Sequence, residues 1–223
     1  MKTCFSQDVF DVLRDLRLNN NRDWYSENKE RINAARKELE DFTNQLIPEV
    51  RKFDSNIGMY EAKKTMYKQH RDIRFTKDKS PFKLHFASVL CYGNLKQNGV
   101  PCYYIHIEEG HCMLAGGVYC PEKDNLKRIR DEIYYNVDEF KSIINSKSYS
   151  KYYNGIDSEE KLKMAPKGYP KDWTDIDLLR NKHFNCSHFC SIEQMEDKDF
   201  LNYVIDVFKA TAELNKFLFR AIN

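Results

Sequence analysis

The chain reads as an α+β protein, with an N-terminal helical hairpin and further helices packed on a mainly antiparallel sheet. Three observations carry that reading. Apolar residues recur three and four apart near both ends of the chain, as on one face of a helix. The middle holds aromatic and β-branched runs separated by short turns, which favours an antiparallel meander. No internal repeat, low-complexity tract or linker interrupts the 223 residues, so one domain over 1–223 is expected.

Ser6 is placed to cap a first helix carrying Val9, Phe10, Leu13 and Leu16 on one face. Asn19-Asn20-Asn21 ends it, because asparagine tolerates the left-handed backbone of a tight turn. A long second helix starts near Asp23, with Ile32, Ala35, Leu39, Phe42 and Leu46 as its buried stripe; Pro48 should break or kink it. Tyr60 to Phe75 is charged but suggests a strand, and Phe82 to Tyr92 a second. Cys102 to Ile107 and Met113 to Tyr119 are clearer strands, joined by the turn Glu108-Glu109-Gly110, and 94–99 is a short loop.

Helix returns over Asp124 to Tyr135, with Leu126, Ile129 and Ile133 on one face, and again over Val137 to Ile144. Ser146 to Asp157 and Pro166 to Pro170 read as loops, Ile176 to Lys182 as a short helix and Phe184 to Cys190 as a strand. Asp197 to Ile222 closes the chain as an amphipathic helix with Phe200, Val204, Val207 or Phe208, and Leu214 inward.

Hydrophobic residues make up 41% and charged residues 31%, the balance of a globular chain with a sizeable core. No apolar run is long enough to cross a bilayer, and Met1 to Asp8 lacks the apolar stretch of a signal peptide. A cytoplasmic location with no membrane partner is therefore expected. The seven cysteines (Cys4, Cys91, Cys102, Cys112, Cys120, Cys186, Cys190) contain no CxxC pair and lie mostly in apolar segments, which fits a reducing compartment. The composition leaves the oligomeric state open.

The net charge is only +2, yet charge is unevenly spread. Between Ala62 and Lys83 stand eight Lys or Arg residues against Asp72 and Asp78, a local basic patch with two acids inside it. Its core is Arg71-Asp72-Ile73-Arg74-Phe75-Thr76-Lys77-Asp78-Lys79-Ser80-Pro81-Phe82-Lys83.

That run resembles the signature of the family known as domain of unknown function 2461, Arg-Asp-x-Arg-Phe-Ser/Thr-Lys-Asp-Lys-Ser/Thr-Pro-Tyr/Phe-Lys. Other pieces agree in order: Asn20-Asn21 followed by Trp24, Gly116-Gly117 with Tyr119 and Pro121, Leu126, Ile129, Arg130 and Ile133, then Pro166-Lys167-Gly168-Tyr169 and Leu178-Leu179-Arg180. The resemblance spans nearly the whole chain and supports one coherent domain. The chain departs from the family pattern at Lys68 and His70, where an Arg and an aromatic are usual, and at Trp173-Thr174, where a His-Pro pair is usual. The family is uncharacterised, so the resemblance implies a fold and a site but no activity.

Convergent Arg and Lys side chains suit a phosphate or carboxylate, supplying charge and several donors. Arg71 and Arg74 point to opposite faces of a regular strand, whereas a turn or bulge brings them together with Asp72 holding either guanidinium. Lys79 and Lys83 flank the bend at Ser80-Pro81, and Arg130 can join from the following helix; Asp78 is the second orienting acid. The competing structural reading is a salt-bridge network pinning a loop, with Pro81 fixing a turn. Glycines 116 and 117 allow close approach by a ligand or another backbone.

No nucleotide-binding glycine loop, nucleophile elbow or H-E-x-x-H segment is present, so no cofactor is expected. His106, Glu108 and His111 form a conceivable metal set, but an ordinary hairpin with polar tips is preferred. In His183-x-x-Cys186-x-His188-x-Cys190, two cysteines about 13 Å apart on one strand cannot share a zinc ion, so no metal is expected there either. The sequence thus favours a binder of a phosphorylated or otherwise anionic small ligand. An enzyme acting on a phosphate-bearing or nucleotide substrate and a docking module for an acidic protein are the alternatives. With Phe75 and Phe82 in the patch, a short single strand of nucleic acid also stays open.

Overall fold

The structure, a computed structural model, describes residues 4–93, 96–97 and 99–223. The sequence readings on residues 1–3 and on Asn94, Leu95 and Asn98 of the 94–99 loop lie outside the described residues.

The N-terminal hairpin pairs α1 (Gln7–Leu18) with α3 (Lys29–Phe53), joined through the short α2 (Arg22–Glu27). Ser6 sits at the N-cap position, but its hydroxyl donates to Glu38 Oε1 at 2.6 Å and its N–H to Oε2 at 2.8 Å. The expected cap is therefore a clamp between α1 and α3. Asn21 caps α2 instead, accepting from the Trp24 N–H at 2.9 Å. The expected single helix from Asp23 is divided at Asn28, whose side chain bonds back to the Trp24 carbonyl at 2.9 Å.

Pro48 lies inside α3 without ending it, so of the expected break or kink the break is not formed. The backbone bond it removes belongs to the Asn44 carbonyl on the exposed side, where water can substitute. Leu46, Ile47 and Val50 hold the neighbouring turns in the core.

The strand expected over Tyr60 to Phe75 is not formed. Ala62–Thr65 is one helical turn, α4, and the chain then follows the outer edge of the sheet through two isolated bridges, Met66↔Ser88 and His70↔Phe82. The Gln69 side chain donates to the His85 carbonyl at 3.3 Å, doing the work of a backbone partner. Crowded cations suit such an irregular edge better than a regular strand.

The sheet itself has four antiparallel strands in sequential order: β1 (His85–Cys91), β2 (Cys102–Glu108), β3 (Cys112–Val118) and β4 (Phe184–Cys190). Between β3 and β4 come α5 (Lys123–Tyr135), α6 (Val137–Ile144), the single turn α7 (Lys147–Ser150) within an expected loop, and α8 (Ile176–Leu179). The expected C-terminal helix from Asp197 is α10 (Phe200–Ile222), and a short helix that the sequence reading did not assign, α9 (Ile192–Glu196), precedes it, opened by a Ser191–Gln194 capping box. This is an α+β architecture with one main core. No described helix is long and apolar enough to cross a membrane.

Side-chain alternation divides the sheet. Phe86, Leu90, Tyr103, Ile105, Ile107, Leu114, Val118, Phe184 and Cys186 face α1, α3 and α10 and are buried. On α10, Asn215 ties two strands at once, accepting from the Gly117 N–H at 2.8 Å and donating to the Cys102 carbonyl at 3.2 Å. The residues in between form the floor of a cleft on the opposite face.

Candidate functional site

The 71–83 signature is the tip of a hairpin. Its two arms are joined by Arg71 N–H to the Pro81 carbonyl (2.9 Å) and Lys83 N–H to the Gln69 carbonyl (2.8 Å). At the base, Phe82 stacks on Tyr25 with ring centroids 3.8 Å apart, and Asn20 holds the Phe82 backbone from both sides, at 2.9 and 3.1 Å. The departure from the family pattern at His70 falls here too, packed 4.9 Å from the Phe82 ring.

Inside the tip each arginine has its own acid. Asp72 takes Arg74 in a bidentate pair, at 3.0 Å from Nε and 2.7 Å from Nη2. Arg71 pairs with Asp78, whose other oxygen accepts from the Ser80 hydroxyl at 2.7 Å and the Ser80 N–H at 2.9 Å. The Ser80 donors, with Arg71 behind them, hold the Asp78 carboxyl well below the usual range, and Arg74 lowers Asp72. Lys79 donates to the Ile73 carbonyl at 2.8 Å. Arg74 and Phe75 project outward, and Phe75 is 91% exposed.

Arg130 does not join this group. It is buried on α5 and donates to the Asn181 carbonyl at 2.9 Å, with no ion pair or hydrogen bond to the hairpin among the described residues. Lys83 is the signature residue that reaches the cleft. Its ammonium lies 4.9 Å from the Tyr67 ring centroid, and no carboxylate is within ion-pair distance among the described residues. Burial, and then Arg36, lowers its basicity.

The cleft has a volume of about 540 Å³. Val89, Cys91, Cys102 and Ala115 make an apolar floor between two polar ends. At one end stand Lys83, His85, His106 and His111; at the other, Asp157, Glu159, Glu160 and His183. Asp157 accepts from the Ser187 hydroxyl and Asn185 amide, both at 2.6 Å, yet burial raises its carboxyl above the normal value.

Strand register assembles the imidazole end. His85 lies directly opposite Glu108 on β1 and β2, and His106 lies two residues before Glu108 on the same face. The His85 and His106 rings are 4.3 Å apart, and His106 Nε2 is 2.9 Å from Glu108 Oε2. Tyr104 places its hydroxyl 3.0 Å from His106 Nδ1, and Arg17 of α1 donates to Glu108 Oε1 at 2.7 Å. Burial pushes His85 down to about 4, with His106 adding to the effect; burial also lowers His106.

Sequence reasoning passed over His85, Tyr104 and Asp157. The spacing Lys83-x-His85 and the alternation Tyr104-x-His106-x-Glu108 were the available signals, since residues two apart share a strand face. The C-terminal histidines and cysteines weighed as a zinc set have other partners. Cys186 is buried on the core side of β4, and His188 is committed to the Tyr152 carbonyl at 2.8 Å and the Tyr203 hydroxyl at 2.5 Å. Of the two glycines, Gly117 admits another backbone: a Cβ there would meet the Phe184 carbonyl and lie 2.7 Å from Asn185 Cα. Gly116 instead makes room for Thr211 of α10.

The family model described as conserved hypothetical protein (DUF2461) matches residues 8–217. The chain belongs to this family. The DUF2461 match takes in the N-terminal hairpin, the signature, all four strands and most of α10. No curated protein and no solved structure matches the chain.

Proposed function

We propose that the protein binds a small phosphorylated or carboxylated ligand in the cleft on the open face of the sheet. The observation that carries this is Lys83, a half-buried ammonium at the cleft wall with no carboxylate partner among the described residues. A cation held at the cost of desolvation gains most from an incoming anion. The imidazoles of His85 and His106 add hydrogen-bonding groups beside it, and the apolar floor suits a carbon skeleton.

The signature hairpin then acts as the scaffold that presents Lys83, because Asp72 and Asp78 already occupy Arg74 and Arg71. The acidic far end of the cleft favours a compact ligand with hydroxyl or amine groups over a continuous polyanion.

The test is calorimetry in chelator-treated, low-salt buffer with inorganic phosphate, phosphorylated sugars, nucleotides and small dicarboxylates. At least one probe is expected to bind wild type and to lose tenfold or more in affinity with Lys83→Met. Equal binding by the variant, or no binding by any probe, would refute the proposal.

A further inference from the structure

We propose that His85, His106 and Glu108 form a binding site for one divalent transition-metal ion. Their donor atoms, one from each residue, lie within 4.8 Å of one another. The three stand on two adjacent strands whose register fixes their backbone positions, so the set does not depend on a loop. Two imidazoles and one carboxylate are a donor set for zinc, iron(II), cobalt or nickel, whereas magnesium and calcium prefer oxygen alone.

The partners behind these donors have the arrangement that metal ligands need. Tyr104 engages His106 Nδ1 at 3.0 Å, which turns Nε2 toward the shared space. Arg17 holds Glu108 Oε1 at 2.7 Å, leaving Oε2 for the same space. Outer partners of this type set ring orientation and tautomer. The 2.9 Å contact between His106 Nε2 and Glu108 Oε2 is close to the roughly 3 Å edge expected between neighbouring ligands of an ion with bonds of about 2.1 Å. A proton now bridges that edge, and an ion entering there takes the imidazole in its other tautomer, with the ring proton on Nδ1 donated to the Tyr104 hydroxyl. His85 must close the remaining gap by side-chain rotation.

Ligation needs the neutral imidazole, and burial disfavours the charged form of both His85 and His106. Three protein donors leave coordination positions open toward the cleft. Arg17 and Lys83 are cations close to the site, and they favour an ion whose remaining positions are filled by an anion over one surrounded by water. The ion and the anionic ligand would thus share one end of the cleft, but the metal site turns on His85, His106 and Glu108 and the anion reading on Lys83, so the two are tested separately.

The experiment uses the intact chain, stripped with chelator and titrated with Co²⁺, followed by visible absorption and calorimetry, then by Zn²⁺ competition. One equivalent is expected, with a cobalt spectrum that Zn²⁺ abolishes. His106→Ala and His85→Gln should each weaken binding by tenfold or more, and Tyr104→Phe by about tenfold. Lys83→Met should retain the metal, which separates this inference from the anion reading. Circular dichroism checks that each variant folds; if His106→Ala does not, His85→Gln decides. Binding of no cobalt or zinc by wild type, or undiminished binding by folded His85→Gln, overturns the proposal.

Discussion

Tyr103 donates its hydroxyl to Asp54 at 2.6 Å, with both side chains sealed in the core. Tyr92 donates to the same carboxylate oxygen, while the other oxygen accepts from the Asn56 N–H at 3.2 Å. Asp54 follows the last turn of α3, and the two tyrosines belong to β2 and the end of β1, so one carboxylate ties the long helix to the sheet.

Removing that carboxylate leaves two buried phenols without acceptors. Asp54→Ala should cost about 3 kcal/mol, a melting temperature roughly 10 °C lower in a scanning calorimeter. The cleft lies on the other face, so anion binding measured well below the transition should persist.

Lys83→Met should separate function from stability in the opposite direction. The folded state lowers the Lys83 basicity, so the neutral amine is preferred and its charge at neutral pH opposes folding. That penalty fades as pH rises through the depressed value toward the ordinary 10.5. The variant should match or exceed the wild-type melting temperature at pH 7 while anion affinity falls. In wild type, affinity should decline as pH rises through the depressed Lys83 value, below 10.5, and a calorimetric pH series would show it.

The glycine pair makes a graded prediction. Gly117 has φ +100°, and a Cβ there would strike the backbone of β4, so Gly117→Ala should cost about 3 kcal/mol or more in chemical denaturation. Gly116→Ala would strike the Thr211 side chain, 2.7 Å from its hydroxyl oxygen. Thr211→Ala should therefore recover part of the Gly116→Ala loss and none of the Gly117→Ala loss.

The Asp78 centre should make the hairpin tip acid-sensitive. Its folded-state carboxyl lies below the ordinary 3.8, so its contribution is present above that value and is lost as pH falls toward the folded one. The Ser80 amide resonance should shift in this acid range in wild type, and Asp78→Asn should abolish the titration.

Much of the fold was legible because its signals are local. The alternation in Cys102 to Ile107, the apolar stripe from Ile32 to Leu46 and the boundaries of Val137–Ile144 and Phe184–Cys190 all follow from short-range pattern. The break at Asn28 and the short α9 were missed because local capping side chains decide them. The site was less legible. Lys83 could be named from its charge, but its neighbour His85 meets Glu108 only through strand register, a long-range relationship. Similarly, the cations at Arg71 and Arg74 showed in the sequence, whereas the pairing of Arg71 with Asp78 depended on the turn at Asp78-Lys79-Ser80.

The grip of Asn20 on Phe82 has a consequence for synthesis. Asn20 leaves the ribosome well before Phe82, so the turn between α1 and α2 is available first and presents an amide that mimics the edge of a strand. The signature arrives as a guest at a prepared berth, and the backbone of its Phe82 is met by a residue that precedes it in time as well as in sequence.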